Sequence, residues 1–373
     1  MKIVGLIVEY NPFHNGHLYH LKKAKEITNA DYIIAITSTY FSMRGDVSII
    51  DKYQKTQVAI EAGVDILIEL PYLLGCQNAD IFAINAVNLL QKMGVNTIVS
   101  GSELCDIKLI ETIHNIEKSA SFQSDIKSYL AEGNSYRKSF SNALEKNNLS
   151  DLGANDLLNL KYYDAIKANN FDIELVLIKR INNNYHDQNL NDTSIQSATA
   201  LRKSKELKNY VPDFAYNIYK EKPLLEIDAF NDIYNHSVLT TNLKEIFEAK
   251  EGIENKFKPC DSLSQLITKL ATKRYTSSRI SRFVSYIITN TTKDKFNFSN
   301  DYPIRILGFN QSGQKYLNSI KKQVNFFTRL IDGIHPIYDY ELKIAKIFGN
   351  VYKRDFIQLE QKLPYRTKVK LLA

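Results

Sequence analysis

The chain has 373 residues, 44% hydrophobic and 24% charged, with a formal net charge of +7. This length suits two or three domains, and the composition excludes a disordered or collagen-like chain. Its three cysteines, Cys76, Cys105 and Cys260, are widely separated, which excludes a C-x-x-C pair or a zinc cluster and fits reduced thiols in a cytoplasmic protein. No apolar run approaches the roughly 18 residues of a membrane span. The short run before Glu9 lacks a signal-peptide cleavage site. No membrane partner is expected, and nothing in the sequence fixes an oligomeric state.

In chain order, Ile3 to Val8 is a buried strand and Leu18 to Ile27 a helix. Asp31 to Thr37 is a second strand. Lys52 to Ala62 is a helix, capped by Asp51 and ended at Gly63. Asp65 to Leu70 is a third strand, stopped by Pro71. Ala79 to Lys92 is a helix, and Val95 to Val99 a fourth strand. Residues 105–170 are several helices, and Phe171 to Ile178 is a fifth strand. Continuous apolar strands alternating with helices predict a parallel sheet covered on both faces, an α/β Rossmann-like domain, with ligands beyond the strands' carboxyl ends. Lys179 to Asp192 is a polar, Asn-rich loop and Ser197 to Leu207 a helix. After about residue 208 the βαβ rhythm stops. Thr276 to Asn290 and Gly313 to Lys322 are helices, and Arg305 to Phe309 is a late strand. The expected organisation is a catalytic domain at 1–207 and a mainly helical region at 208–373.

Charge is unevenly spread. From Lys256 to the end there are 22 Lys+Arg against 8 Asp+Glu, whereas residues 1–255 have 26 against 33. A basic tail on an acidic front predicts a polyanionic partner, with Lys273, Arg274, Arg279 and Arg282 as candidate phosphate contacts.

The chemistry concentrates after the first strand, in Ile7-Val8-Glu9-Tyr10-Asn11-Pro12-Phe13-His14-Asn15-Gly16-His17-Leu18-Tyr19-His20. Two histidines three apart, with a glycine between them, sit where a strand enters a helix. A helix start offers N–H groups and a positive dipole end to a phosphate, and Gly16 allows close backbone approach. A second element, Ser194 to Arg202, enters a helix after the fifth strand. Ser197 and Thr199 can cap it and donate to phosphate, and Arg202 can neutralise the β/γ-phosphates.

The H-x-G-H spacing resembles the HIGH signature of nucleotidylyltransferases, and Glu9 to His17 is similar to the tRNA(Met) cytidine acetate ligase family. Further likenesses are Gly101-Ser102-Glu103, Gly153-Ala154-Asn155-Asp156, Arg180 with Tyr185-His186-Asp187, Thr276 to Arg282, and Arg305 to Asn310. The loop Ser38 to Gly45 departs from the family's S-G-N-F-V-Q-R-G. The resemblance implies that Ile7 to His20, Gly101, Asn155, Arg180 and Ser197 contact ATP, and that Mg²⁺ arrives on the triphosphate. It also implies that acetate is activated as acetyl-AMP and passed to the wobble cytidine of elongator tRNA(Met). His14, His17, Thr199 and Arg202 are the expected catalytic residues; no protein metal ligands are expected. The strand-loop-helix chemistry alone leaves two alternatives open: an adenylyltransferase acting on a small phosphate acceptor, and an RNA-binding protein that retains a nucleotide site.

Overall fold

The computed structural model describes residues 1–180, 195–299 and 301–367. Its sheet runs β5 (Glu174–Lys179), β4 (Thr97–Ser102), β1 (Ile3–Val8), β2 (Tyr32–Ser38), β3 (Ile66–Leu70), β6 (Ile304–Phe309), β7 (Phe326–Phe327), with β8 (Tyr365–Arg366) also on β6. The first five strands are parallel, as the apolar runs predict. β1 pairs with both β2 and β4, so the chain turns outward on either side of it. A crevice forms at such a reversal, beyond the carboxyl ends of β1 and β4.

Side chains alternate across the sheet. Ile34, Ile36, Ile66 and Ile68 enter one core with the helix Ala79–Lys92. Val4, Leu6, Ile33, Ala35 and Leu67 enter the other, with α1 (Asn15–Thr28) and α2 (Lys52–Ala62). A third cluster, with Ile110, Phe122, Phe140 and Leu160, holds the helices between 107 and 168 together.

The late strand, whose place and direction the sequence left open, joins the same sheet. β6 lies antiparallel on β3, with Ile66 opposite Phe309 and Leu67 opposite Gly308. Its Arg305 is wholly buried and pairs with Glu69 of β3 at 2.8 Å and with Glu360. Lys52 of α2 reaches Glu69 at 2.5 Å, Glu360 at 2.7 Å and Glu341 at 3.8 Å. Burial pushes Glu341 up to about 8, helped by Glu69, so it holds its proton at neutral pH. Two cations then face two carboxylates. Thr39 donates to Glu69 at 3.0 Å and Tyr40 donates to Glu360. Thr39 and Tyr40 stand where the resembled family has Gly and Asn, so that departure serves the buried network. The described residues after 207 are thus bonded into the sheet, and their helix Ser277–Thr289 shares its first core through Ile280, Phe283 and Val284.

Candidate active site

The stretch after β1 is built from residues with different tasks. Phe13 is fully buried, and its N–H donates to the Tyr219 hydroxyl at 3.1 Å. Tyr10 sets its ring edge-on against Phe13 at 4.8 Å and His17 at 5.0 Å. The Asn11 side chain is consumed by the next loop: its Oδ1 accepts the Ile49 N–H at 2.8 Å and its Nδ2 donates to Val47 O at 3.2 Å. Glu9 Oε1 accepts the Met43 N–H at 2.7 Å. Val8 is core, and Ile7, Leu18 and Tyr19 pack against core clusters.

His14 is the N-cap of α1, which explains why that helix begins ahead of the predicted Leu18. His14 Nδ1 accepts the Gly16 N–H at 3.0 Å, and His17 Nδ1 accepts the His14 N–H at 3.3 Å. The rings stack with centroids 3.8 Å apart. A ring nitrogen that accepts an N–H cannot carry the proton of a neutral imidazole, so the proton of each ring sits on Nε2. Burial, then Arg180 and Arg202, pushes His14 down to about 3. Desolvation and its neighbours His14, His20 and Arg180 hold His17 well below the usual range. Both rings are therefore neutral Nε2–H donors at pH 7. His20, pushed down to about 4 mainly by burial, has a buried Nε2 with no partner among the described residues.

Two details differ from the sequence expectation. The first N–H groups of α1 are already bonded: Asn15 to Tyr210 O at 3.0 Å, Gly16 to His14, and His17 and Leu18 to His14 O. Imidazole donors take the place of free backbone amides. Gly16 is required by a side chain, because a Cβ there would lie 2.9 Å from His14 Cε1 and 3.3 Å from Ile195 Cγ2.

Ile195 belongs to the second element, which therefore lies over the start of α1. Ser197 caps the helix Ala198–Ser204 by accepting the Ala200 N–H at 3.1 Å. Arg202 donates to Asn11 O at 2.9 Å, to Thr199 Oγ1 at 3.3 Å and to Asp46 Oδ2 at 3.3 Å. Asp46 is a residue that sequence reasoning missed. It also accepts from Ser281 at 3.3 Å, while Gly45 presses so closely on the same helix that a Cβ would stand 2.4 Å from Arg282 N.

Across the crevice, Gly101 ends up inside β4, opposite Ile178, with the Arg180 side chain over it, so that a Cβ there would lie 3.5 Å from Arg180 Cγ. Glu103 accepts from the N–H groups of Asn155 (3.2 Å) and Asp156 (3.0 Å) and from Asn155 Nδ2. With Nδ2 committed to a carboxylate, Asn155 keeps Oδ1 as an acceptor. The expected Tyr185-His186-Asp187 and Ser194 lie outside the described residues.

The four predicted phosphate contacts are not alike. Arg282 is largely buried and bonds Glu248 at 3.3 Å through Nε and Nη2. Arg274 and Arg279 share Glu251 at 3.5 and 3.4 Å, and Lys273 is exposed. Among the described residues, the one cluster with metal-ligand types is His114, Glu117 and Asp164, away from this crevice, and Lys161 pairs with both of its carboxylates.

A family model described as HIGH Nucleotidyl Transferase matches residues 1–362. A protein of Caldicellulosiruptor saccharolyticus named tRNA(Met) cytidine acetate ligase is 38% identical over 97% of this chain and 98% of its own length. One of the same name from Clostridium perfringens is 35% identical over 94% and 95%. The apo crystal structure of Thermotoga maritima TmcAL superposes with a TM-score of 0.85 at 25% identity, covering 98% of this chain and all of that one. The same protein bound with alpha-thio ATP gives 0.83 at 26% identity, over 98% of this chain and 99% of that one.

Proposed function

The chain belongs to the HIGH nucleotidyl transferases and, among them, to the tRNA(Met) cytidine acetate ligases, and from that premise we propose how it acts. It joins acetate to the wobble cytidine of elongator tRNA(Met) in two steps driven by ATP. ATP lies across the carboxyl ends of β1 and β4. Asn155 Oδ1 accepts from the adenine amine, and Arg180 and Arg202 face the phosphates. An acetate oxygen attacks the α-phosphorus, the bond to the β-phosphate oxygen breaks, and pyrophosphate leaves. The cytidine N4 amine then attacks the acetyl carbon, the bond to AMP breaks, and the amine loses a proton.

The observation that carries this reading is the stacked His14–His17 pair. Two neutral Nε2–H groups at a helix start donate to phosphoryl oxygens as charge develops on them, without themselves gaining or losing protons. Glu9 and Asp46 are engaged by Met43 and Arg202, so this donor set fits a Mg²⁺ held by phosphate oxygens and water; there it would neutralise the departing pyrophosphate. The reaction's substrates place the protein in the cytoplasm.

Incubation with ATP and labelled acetate, with and without tRNA, tests the reading. Pyrophosphate release that needs acetate, and label on tRNA, are expected. Pyrophosphate released only with a small phosphate acceptor would favour an adenylyltransferase instead.

A further inference from the structure

Two clefts flank the segment 223–226. The first, about 410 Å³, lies between the helices Ala198–Ser204 and Asp213–Tyr219 and is lined by Lys205, Lys208, Lys220 and Lys222. The second, about 580 Å³, lies at the end of the helix Pro336–Tyr352 and is lined by Lys346, Lys353 and Arg354. They adjoin. Arg354 Nη2 donates to Pro223 O at 3.4 Å, and the Tyr352 hydroxyl exchanges hydrogen bonds with the Glu226 backbone at 2.6 and 2.8 Å.

Seven cations thus face two lining carboxylates, Glu206 and Asp355. Lys205 and Lys222 are spent on Glu226 and Asp51. Lys208, Lys220, Lys346 and Lys353 form no ion pair with any described residue. Arg354 Nη1 is buried without a hydrogen-bond partner among them. By contrast, Arg274, Arg279 and Arg282 already hold carboxylates. An unpaired lysine contributes its full charge to a phosphate, whereas a paired one must first give up its acid.

We propose that the two clefts form one track for an RNA backbone. The first cleft adjoins the active-site stretch: Tyr219 lines it, and the Tyr219 hydroxyl accepts the N–H of Phe13, the neighbour of His14. RNA lying here passes beside the site of acetyl-adenylate formation. Among the described residues, no exposed large hydrophobic side chain lines either cleft, which favours nucleic-acid phosphate over a lipid surface. The inference rests on the ligase reading for the identity of the polyanion.

The test measures tRNA binding by the full chain across a salt series. Lys208→Glu/Lys220→Glu and Lys346→Glu/Lys353→Glu should each raise Kd about tenfold or more and flatten the log–log salt slope by about one to two. Lys273→Glu/Arg274→Glu should raise it less than about threefold. A Kd within about twofold of the parent in both cleft variants overturns the inference. So does preference of the parent for phosphatidylserine vesicles over tRNA. If the parent binds tRNA with the expected dependences but releases no pyrophosphate with ATP and acetate, the track stands and the ligase reading falls.

Discussion

His14 fixes the protonation of His17 while its own is fixed by Gly16: the Nδ1 of each ring accepts a backbone N–H, that of His17 from His14 at 3.3 Å and that of His14 from Gly16 at 3.0 Å. A reciprocal cap normally made by Ser and Glu is made here by two imidazoles. The structural task uses one nitrogen of each ring and leaves the other as a donor. Stability and catalysis are therefore separable at these residues.

His14→Asn tests that separation. Asn is a good N-cap, so stability should change by less than about 1 kcal/mol, whereas His14→Ala should cost about 0.5–2 kcal/mol. Both should lose roughly 100- to 1000-fold in adenylation, because both lack the Nε2 donor. Denaturant melts and acetate-dependent pyrophosphate release check the two halves.

Gly16→Ala should fold and fail. Alanine favours a helix by about 1 kcal/mol over glycine, which offsets much of the cap it disturbs. Its Cβ, 2.9 Å from His14 Cε1, would displace the ring. A melting temperature within a few degrees of the parent, with adenylation down roughly 100-fold, is the expected pair of results.

Acid should destabilise the fold from below about pH 6.5, where histidines in the unfolded chain begin to charge. His14 and His20, held down to about 3 and 4, and His17, well below 6.5, resist protonation in the fold. The unfolded chain then binds more protons, so stability falls with falling pH, by up to about 1.4 kcal/mol per unit per histidine, until each folded value is reached. Urea midpoints at pH 7, 6 and 5 should fall, and His20→Gln should shallow the fall.

The buried charge network gives opposite results at two glutamates. Glu341 is protonated in the fold up to about pH 8, so between about pH 4.5 and 8 its own contribution to stability should drop as pH rises, partly offsetting that of the histidines. Glu341→Gln mimics the protonated form and should cost less than about 1 kcal/mol while removing that drop. Glu360, held down to about 2 against its burial chiefly by Arg305 and Lys52, is ionised. Glu360→Gln leaves two buried cations sharing one carboxylate, Glu69, and should cost about 3–5 kcal/mol.

The parallel strands were legible because each is an uninterrupted apolar run, and Ser197 was legible as a cap because capping is local. The position of β6 was not. RILGF signals a strand, but its place beside β3 is set by Arg305 meeting Glu69, a pair 236 residues apart. β7 and β8, two residues each, are too short for a pattern. In the site, the histidine spacing and Arg202 were readable from motifs. Asp46, Tyr219 and the capping role of Glu103 act through contacts between distant segments, which leave no periodicity. Arg282 looked like a phosphate contact within a basic stretch because its partner Glu248 lies in another element.

In the proposed mechanism, neutral imidazole donors at the start of α1 drive adenylate formation. ATP–pyrophosphate exchange dependent on acetate, measured without tRNA in the parent and in His17→Ala, tests it most directly. Exchange in the parent and a loss of roughly 100- to 1000-fold in the variant are expected, with nucleotide still bound. A His17→Ala protein that exchanges at the parent's rate would contradict it.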